Sequence, residues 1–171
     1  MKTDGDKLLY ARAAEIHRRN PVILIHDHDP LEDDREECRA AGISGKVFVP
    51  LIDVFVDDNP MASAARFDGW AEHARGVLAQ ALASIQATRG QALLAISAGD
   101  FRRAHREGRV AVMLGSEGGK LAEGSLDRLG EFYEIGYRCM QVRWNCPNQI
   151  VGSEAEGLTA FGRELIPALN R

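Results

Sequence analysis

Two hydrophobic periods alternate along the chain. Val22 to Ile25 is a short unbroken apolar run that stops at His26-Asp27-His28-Asp29-Pro30, the pattern of a buried strand meeting a loop. Pro30 with Glu32, Asp33 and Asp34 suits a helix N-terminus, where carboxylates favour the positive end of the dipole, and Gly42 suits its stop. Lys46 to Ile52 is the second apolar run, rich in Val and Ile. After the turn-like Asp57-Asp58-Asn59-Pro60, the residues Phe67, Trp70, Ala74, Val77, Ala81 and Ile85 recur at helical spacing, and Gly90 fits the cap. Ala92 to Ile96 reads as a short extended link.

Ser97 to Asp100 resembles a capping box opening a short helix that Gly108 ends. Val110 to Leu114 is the next strand, followed by the bend Gly115-Ser116-Glu117-Gly118-Gly119. Ser125 caps a helix expected to turn Leu126, Leu129, Phe132 and Tyr133 inward, with Gly136 as its stop. Cys139 to Trp144 reads as another strand. A final helix begins near Thr159 and runs to the end, with a kink expected at Pro167.

Strands that alternate with helices imply an α/β fold with parallel strands joined by right-handed crossovers. About four main strands are expected, in one unit spanning residues 1–171. The carboxyl ends of parallel strands share one rim, where such folds place their sites. His26, His28, Glu117, Trp144 and Asn145 all fall at or beyond strand ends, so they are expected at one mouth.

Composition narrows the classes of partner. The chain of 171 residues is 45% hydrophobic and 27% charged, with a formal net charge of -4 and no long basic run. That balance argues against nucleic acid or an anionic membrane. No apolar stretch approaches the roughly 20 residues of a membrane span, and the N-terminus lacks a secretory pattern. Cys38, Cys139 and Cys146 form no C-x-x-C pair, which suits reduced thiols and a cytoplasmic location and disfavours a cysteine zinc site.

His26-x-His28 carries the most specific chemistry. Alternation along an extended backbone turns both imidazoles to the same side, where two nitrogens can hold one cation such as Zn²⁺. A pair of solvated loop histidines is the competing reading. Glu117 stands in a bend whose glycines can aim its carboxylate into the mouth. There it can bridge two cations that share a water, although a solvated turn glutamate fits the local sequence equally well. A phosphate loop is excluded, because Gly115-x-x-x-Gly119-Lys120-Leu121 is one residue short and lacks the Ser/Thr.

The segments, taken in order, resemble the renal or membrane dipeptidase family, zinc metallopeptidases built on a TIM-type barrel. Leu24-Ile25-His26-Asp27-His28-Asp29-Pro30 lies over the family's D-G-H-N-D-L-P signature, with the His and Pro in register. Glu117-Gly118-Gly119 matches its E-G-G segment, and Glu134 to Val142 its E-L-G-V-R helix end and following strand. Asn148 to Gly152 and Gly157 to Gly162 match its N-x-x-G and G-L-T-x-F-G stretches.

The resemblance implies the N-terminal half of a barrel, since a whole one takes about 250 residues. It also implies a two-zinc site that hydrolyses dipeptides. His26 and His28 would hold the first metal, Glu117 would bridge to the second, and Asn145 would touch substrate. Two further zinc-binding histidines would come from later strands, which these residues do not include.

Three departures stand out. His28 replaces the family's metal-binding Asp, Trp144 replaces its substrate-contacting His, and Lys120 stands where a His often follows E-G-G. His28 and Trp144 favour a rival reading, an amidohydrolase-type enzyme acting on a non-peptide amide or ester. A non-catalytic half-barrel that pairs with a copy of itself or with a complementing C-terminal half is the third. The remaining histidines, His17, His73 and His105, fall in helix-like segments and suit surface roles.

Overall fold

The computed structural model describes residues 3–53 and 68–170. The expected turn at Asp57–Pro60 and the helical position of Phe67 lie outside the described residues. The elements in chain order are α1 (Asp4–Arg19), β1 (Ile23–Asp27), α2 (Leu31–Ala40), β2 (Gly45–Ile52), α3 (Trp70–Ala87) and β3 (Ala92–Leu94). There follow α4 (Ala98–Glu107), β4 (Val110–Glu117), a single 3₁₀ turn (Lys120–Ala122), α5 (Leu126–Ile135), β5 (Tyr137–Gln141) and α6 (Ala160–Leu169). Parallel strands alternate with helices, the architecture of the first half of a TIM-type barrel.

Every ladder is parallel: β1 with β2, β2 with β4, and β4 with both β3 and β5. β4 takes β2 along one edge. Its other edge is shared, β3 lying beside Val110–Val112 and β5 beside Leu114–Glu117. Alternation along β4 sorts its side chains between two cores. Val110, Val112 and Leu114 join Leu78, Ala81 and Ile85 of α3 together with Phe132 and Tyr137. Ala111 and Met113 pack instead with Leu93 and with Phe101 and Ala104 of α4. Burying side chains such as Leu78, Leu114 and Phe132 stabilises the fold by about 1.5–3 kcal/mol each.

Several sequence expectations change. The segment read as a link at Ala92–Ile96 contains β3, because three residues with apolar neighbours on both faces suffice for a ladder against β4. The strand expected at Cys139–Trp144 is β5, which starts and stops earlier. The first strand is not buried. Among the described residues β1 pairs on one side only, with Ile25 82% exposed.

Tyr133 also faces outward, its ring stacked under the Arg138 guanidinium at 3.6 Å, while Phe132 takes the core position. Of α1 the sequence reading holds only the helix-like surroundings of His17. Thr3 and Asp6 form a reciprocal capping box that starts it, yet none of its residues is buried, so no apolar stripe announces it. The caps at Ser97 and Ser125 are as expected, and Thr159 caps the final helix that begins beside it, each hydroxyl accepting an N–H from three residues on. α6 carries through Pro167 and ends two residues later at Leu169. No helix among the described residues is long and apolar enough to cross a membrane.

Candidate metal centre

Three ligand-bearing side chains from two strands meet at the carboxyl rim. His26 lies at the end of β1, His28 just beyond it, and Glu117 closes β4. Their imidazoles stand edge to face, with His26 Nε2 and His28 Nε2 3.0 Å apart. Glu117 Oε2 is 3.7 Å from His26 Nε2 and 3.4 Å from His28 Nε2. A tetrahedral ion with bonds near 2.05 Å holds its ligand atoms about 3.3 Å apart. The three separations bracket that value, so this donor set fits a zinc-sized cation.

The tautomer of His28 follows from its other nitrogen. Nδ1 lies 2.7 Å from the Val49 carbonyl oxygen, which can only accept, so Nδ1 carries the proton and Nε2 presents its lone pair to the cluster. The Glu117 side chain is 20% exposed and the histidine side chains 45% and 43%, which leaves the cluster open to small molecules.

Backbone geometry aims Glu117. The Asp53 N–H donates to the Glu117 carbonyl at 3.0 Å, and the Gly118 N–H donates to the Gln141 carbonyl at 3.1 Å. Gly118 has φ +120°, and a Cβ there would come within 2.1 Å of Asp53 Cγ. Only glycine fits that place.

Behind the bend sits Asp53, a buried carboxyl. Its oxygens accept from the N–H groups of Gly119 (3.1 Å) and Lys120 (2.9 Å) and from Asn148 Nδ2 (3.1 Å). Burial pushes its pKa up, against the opposing pull of these donors and of the Lys120 ammonium. Lys120 is itself fully buried, its Nζ 4.9 Å from the Trp70 ring centre, and so belongs to the support of the bend.

A second buried charge lies under the histidines. Lys46 is fully buried, and its Nζ is 2.7 Å from the Asp29 carbonyl oxygen, 2.6 Å from Asp34 Oδ2 and 2.7 Å from Asp27 Oδ2. Burial alone would raise the Asp27 carboxyl, but the Lys46 ammonium and the Asp29 N–H outweigh it and hold the group below the usual carboxylate range. Neither Asp53 nor Lys46 was singled out from the sequence. Asp53 ends an apolar run beside an acidic turn, and Lys46 opens one, so each resembles an ordinary solvated residue at a strand boundary.

Trp144 and Asn145 stand three and four residues beyond Gln141, the residue of β5 level with Glu117. Trp144 is half-buried and Asn145 exposed. The cluster of ligand-bearing residues comprises His26, His28 and Glu117 alone among the described residues. The three cysteines are free, and burial lifts Cys38 to about 11, which makes it a poor ligand.

A parallel half-barrel with histidines and a carboxylate gathered on its carboxyl rim defines a class, the barrel-type α/β proteins whose sites are built on strand ends. Within that class the chain belongs to the membrane dipeptidase family, peptidase family M19, whose model matches residues 44–171. The matched stretch contains Glu117 but starts after the two histidines.

Solved structures share the fold. An amidohydrolase from Pseudomonas aeruginosa superposes with a TM-score of 0.76 at 20% identity, over 92% of this chain and 45% of that one. A metallopeptidase from Rhodobacter sphaeroides, liganded with a phosphinate mimic of the dipeptide L-Ala-D-Ala, gives 0.68 at 22% identity over 88% of this chain and 56% of its own. A dipeptidase of family M19 gives 0.68 at 23% identity over 88% and 55%. The chain thus spans about half the length of the structures it matches.

Proposed function

We propose that the protein is a metal-dependent dipeptidase in which His26, His28 and Glu117 hold a divalent cation, zinc by the nature of the donors. The observation that carries this reading is the convergence of three ligand atoms at separations suited to one small cation. Zinc, when bound, would polarise the amide carbonyl and lower the pKa of a water held beside it.

The chain's own residues supply the rest. His28 offers Nε2 because Val49 holds its proton at Nδ1. His26 Nε2 must shed its proton to Nδ1 before both nitrogens can point lone pairs at one ion. Glu117 carries negative charge to the site from a bend that Asp53 and two glycines hold in place. Trp144 and Asn145, which follow β5, would meet the substrate in this reading. The family's second ion would need ligands beyond these three, and among the described residues no other such group is arranged to supply them.

Two departures favour a second reading. His28 and Trp144 stand where the family carries an Asp ligand and a substrate-contacting His, and this suits a non-peptide amide or ester. Metal content and hydrolysis, measured on the full-length protein and on the His26→Ala/His28→Ala variant, test the site. Zinc bound by wild type and lost by the variant supports it, whereas equal stoichiometry removes these residues from the site. A panel of dipeptides, N-acyl amino acids and aryl esters then separates the two substrate classes.

A further inference from the structure

We infer that Lys46 is the positioning residue of the metal centre, its buried ammonium gripping the chain on both sides of His28. This inference rests on the metal reading above and assigns a task to a side chain that reading does not use. Lys46 lies on β2 with Nζ inaccessible to solvent. Two of its three oxygen neighbours flank His28 directly, namely the Asp27 carboxylate, an ion-pair partner, and the Asp29 carbonyl, an acceptor. The third, Asp34, is on α2, so one ammonium ties together the end of β1, the loop after it and the helix that follows.

The same loop is secured from within by the Asp29 N–H donating to Asp27 Oδ1 at 3.1 Å. β2 therefore fixes His28 twice, through Lys46 under its neighbours and through the Val49 carbonyl on its own ring.

Geometry explains why a lysine stands here. The ammonium donates to the Asp29 carbonyl at 2.7 Å and to Asp34 Oδ2 at 2.6 Å, and Asp27 Oδ2 lies 2.7 Å away as an ion-pair partner, so three oxygens crowd one compact cation. The planar fork of an arginine would not fit that pocket. Without the cation, the Asp27 and Asp34 carboxyls would face each other with little water to screen them, their side chains being 11% and 13% exposed. Their repulsion would act on the residue between the two histidines. The clamp therefore sets the loop that carries both ligands from β1, and it does so before any ion arrives.

The test compares wild type with Lys46→Met in the full-length protein, using Co²⁺ as the probe. Thermal unfolding reports folding, while visible absorption and chelator competition report affinity and ligand geometry. Loss of a residue that orients a metal-bound side chain in this way typically changes metal affinity by about 10–100-fold. The expected result is a folded variant with cobalt affinity weakened by that factor and a changed visible spectrum. A lysine that merely stabilises the fold would lower the melting temperature and leave the affinity and spectrum of the folded protein as in wild type, which would overturn the inference. Should Lys46→Met fail to fold, Asp27→Asn keeps the shape and removes the charge that Lys46 grips. Cobalt binding several-fold weaker is then expected, and unchanged binding refutes the clamp. A wild type that takes up no cobalt sinks the metal reading itself, an outcome distinct from equal binding by both proteins.

Discussion

Asp53→Ala offers a quantitative test of how the bend carrying Glu117 is held. The change leaves the Gly119 and Lys120 N–H groups without the acceptor they now share, in a part of the structure closed to solvent. Each orphaned buried donor costs about 1–3 kcal/mol. Asn148 is less affected, since its Nδ2 also donates to the Val142 carbonyl at 2.9 Å. Removing the carboxyl relieves its own burial, the effect that raises its pKa. That offset puts the expected net loss at about 2–3 kcal/mol, toward the low end for two donors. For a chain of this size the loss lowers the melting temperature by roughly 4–12 °C.

Asp53→Asn retains the shape and one oxygen, and should lose less than half as much. It should also flatten one component of the pH profile. A carboxyl whose folded pKa is raised holds its proton more tightly in the folded chain, so stability falls as pH rises from about 4 through the raised value. The amide cannot titrate and removes that fall. Urea unfolding of the three proteins between pH 4 and 8 measures both effects. An alanine variant within about 0.5 kcal/mol of wild type, the scatter of ordinary surface changes, would show that the bend does not depend on this carboxyl.

Other outcomes follow from single contacts. Gly118→Ala combines a positive φ with a Cβ driven into Asp53, so it should destabilise by more than the roughly 1–3 kcal/mol of backbone strain alone and weaken cobalt binding, as read by unfolding and by titration. Leu78→Ala, at a fully buried site on α3, should cost about 2–5 kcal/mol in chemical denaturation. The Ser97 hydroxyl, the Ile96 N–H and Arg103 hold Asp100 low, so its contribution is complete above about pH 4 and is lost as pH falls through the lowered value. Ser97→Ala should move the Asp100 carboxyl up toward its ordinary range in an NMR titration. Trp144→His should raise dipeptide turnover if the tryptophan displaces a substrate-contacting group, and a folded variant with no gain would assign Trp144 to other chemistry.

Much of this arrangement could be read from residue order alone, for identifiable reasons. Alternation in an extended chain puts His26 and His28 on one side whatever surrounds them, and the Glu-Gly-Gly bend gains its meaning only from the order of the segments around it. Helices with a hydroxyl at one end and glycine at the other were equally legible. The missed features depend on partners distant in sequence. Ala92–Leu94 is a strand because β4 lies beside it, and β1 is exposed because, among the described residues, β2 alone pairs with it. Lys46 and Asp53 are buried because α2, the 3₁₀ turn and Asn148 close over them, and no local pattern distinguishes a lysine that will meet three oxygens from one that will meet water.

The strand order gives the cluster a mechanical aspect. The histidines belong to the edge strand β1 and its loop, Glu117 to β4, and β2 runs between them. An ion gripped by all three would act as a rivet across the sheet, from its margin to its most enclosed strand. Among the described residues β1 is held by β2 alone, and its peeling from β2 would separate the ligands. Occupancy and peeling therefore oppose each other by mass action. A peeled margin bares the backbone of β2, which can pair with another chain. Metal supply would then govern shelf life as well as chemistry. Protein stripped by a chelator should cluster sooner than loaded protein at the same temperature, with light scattering as the clock.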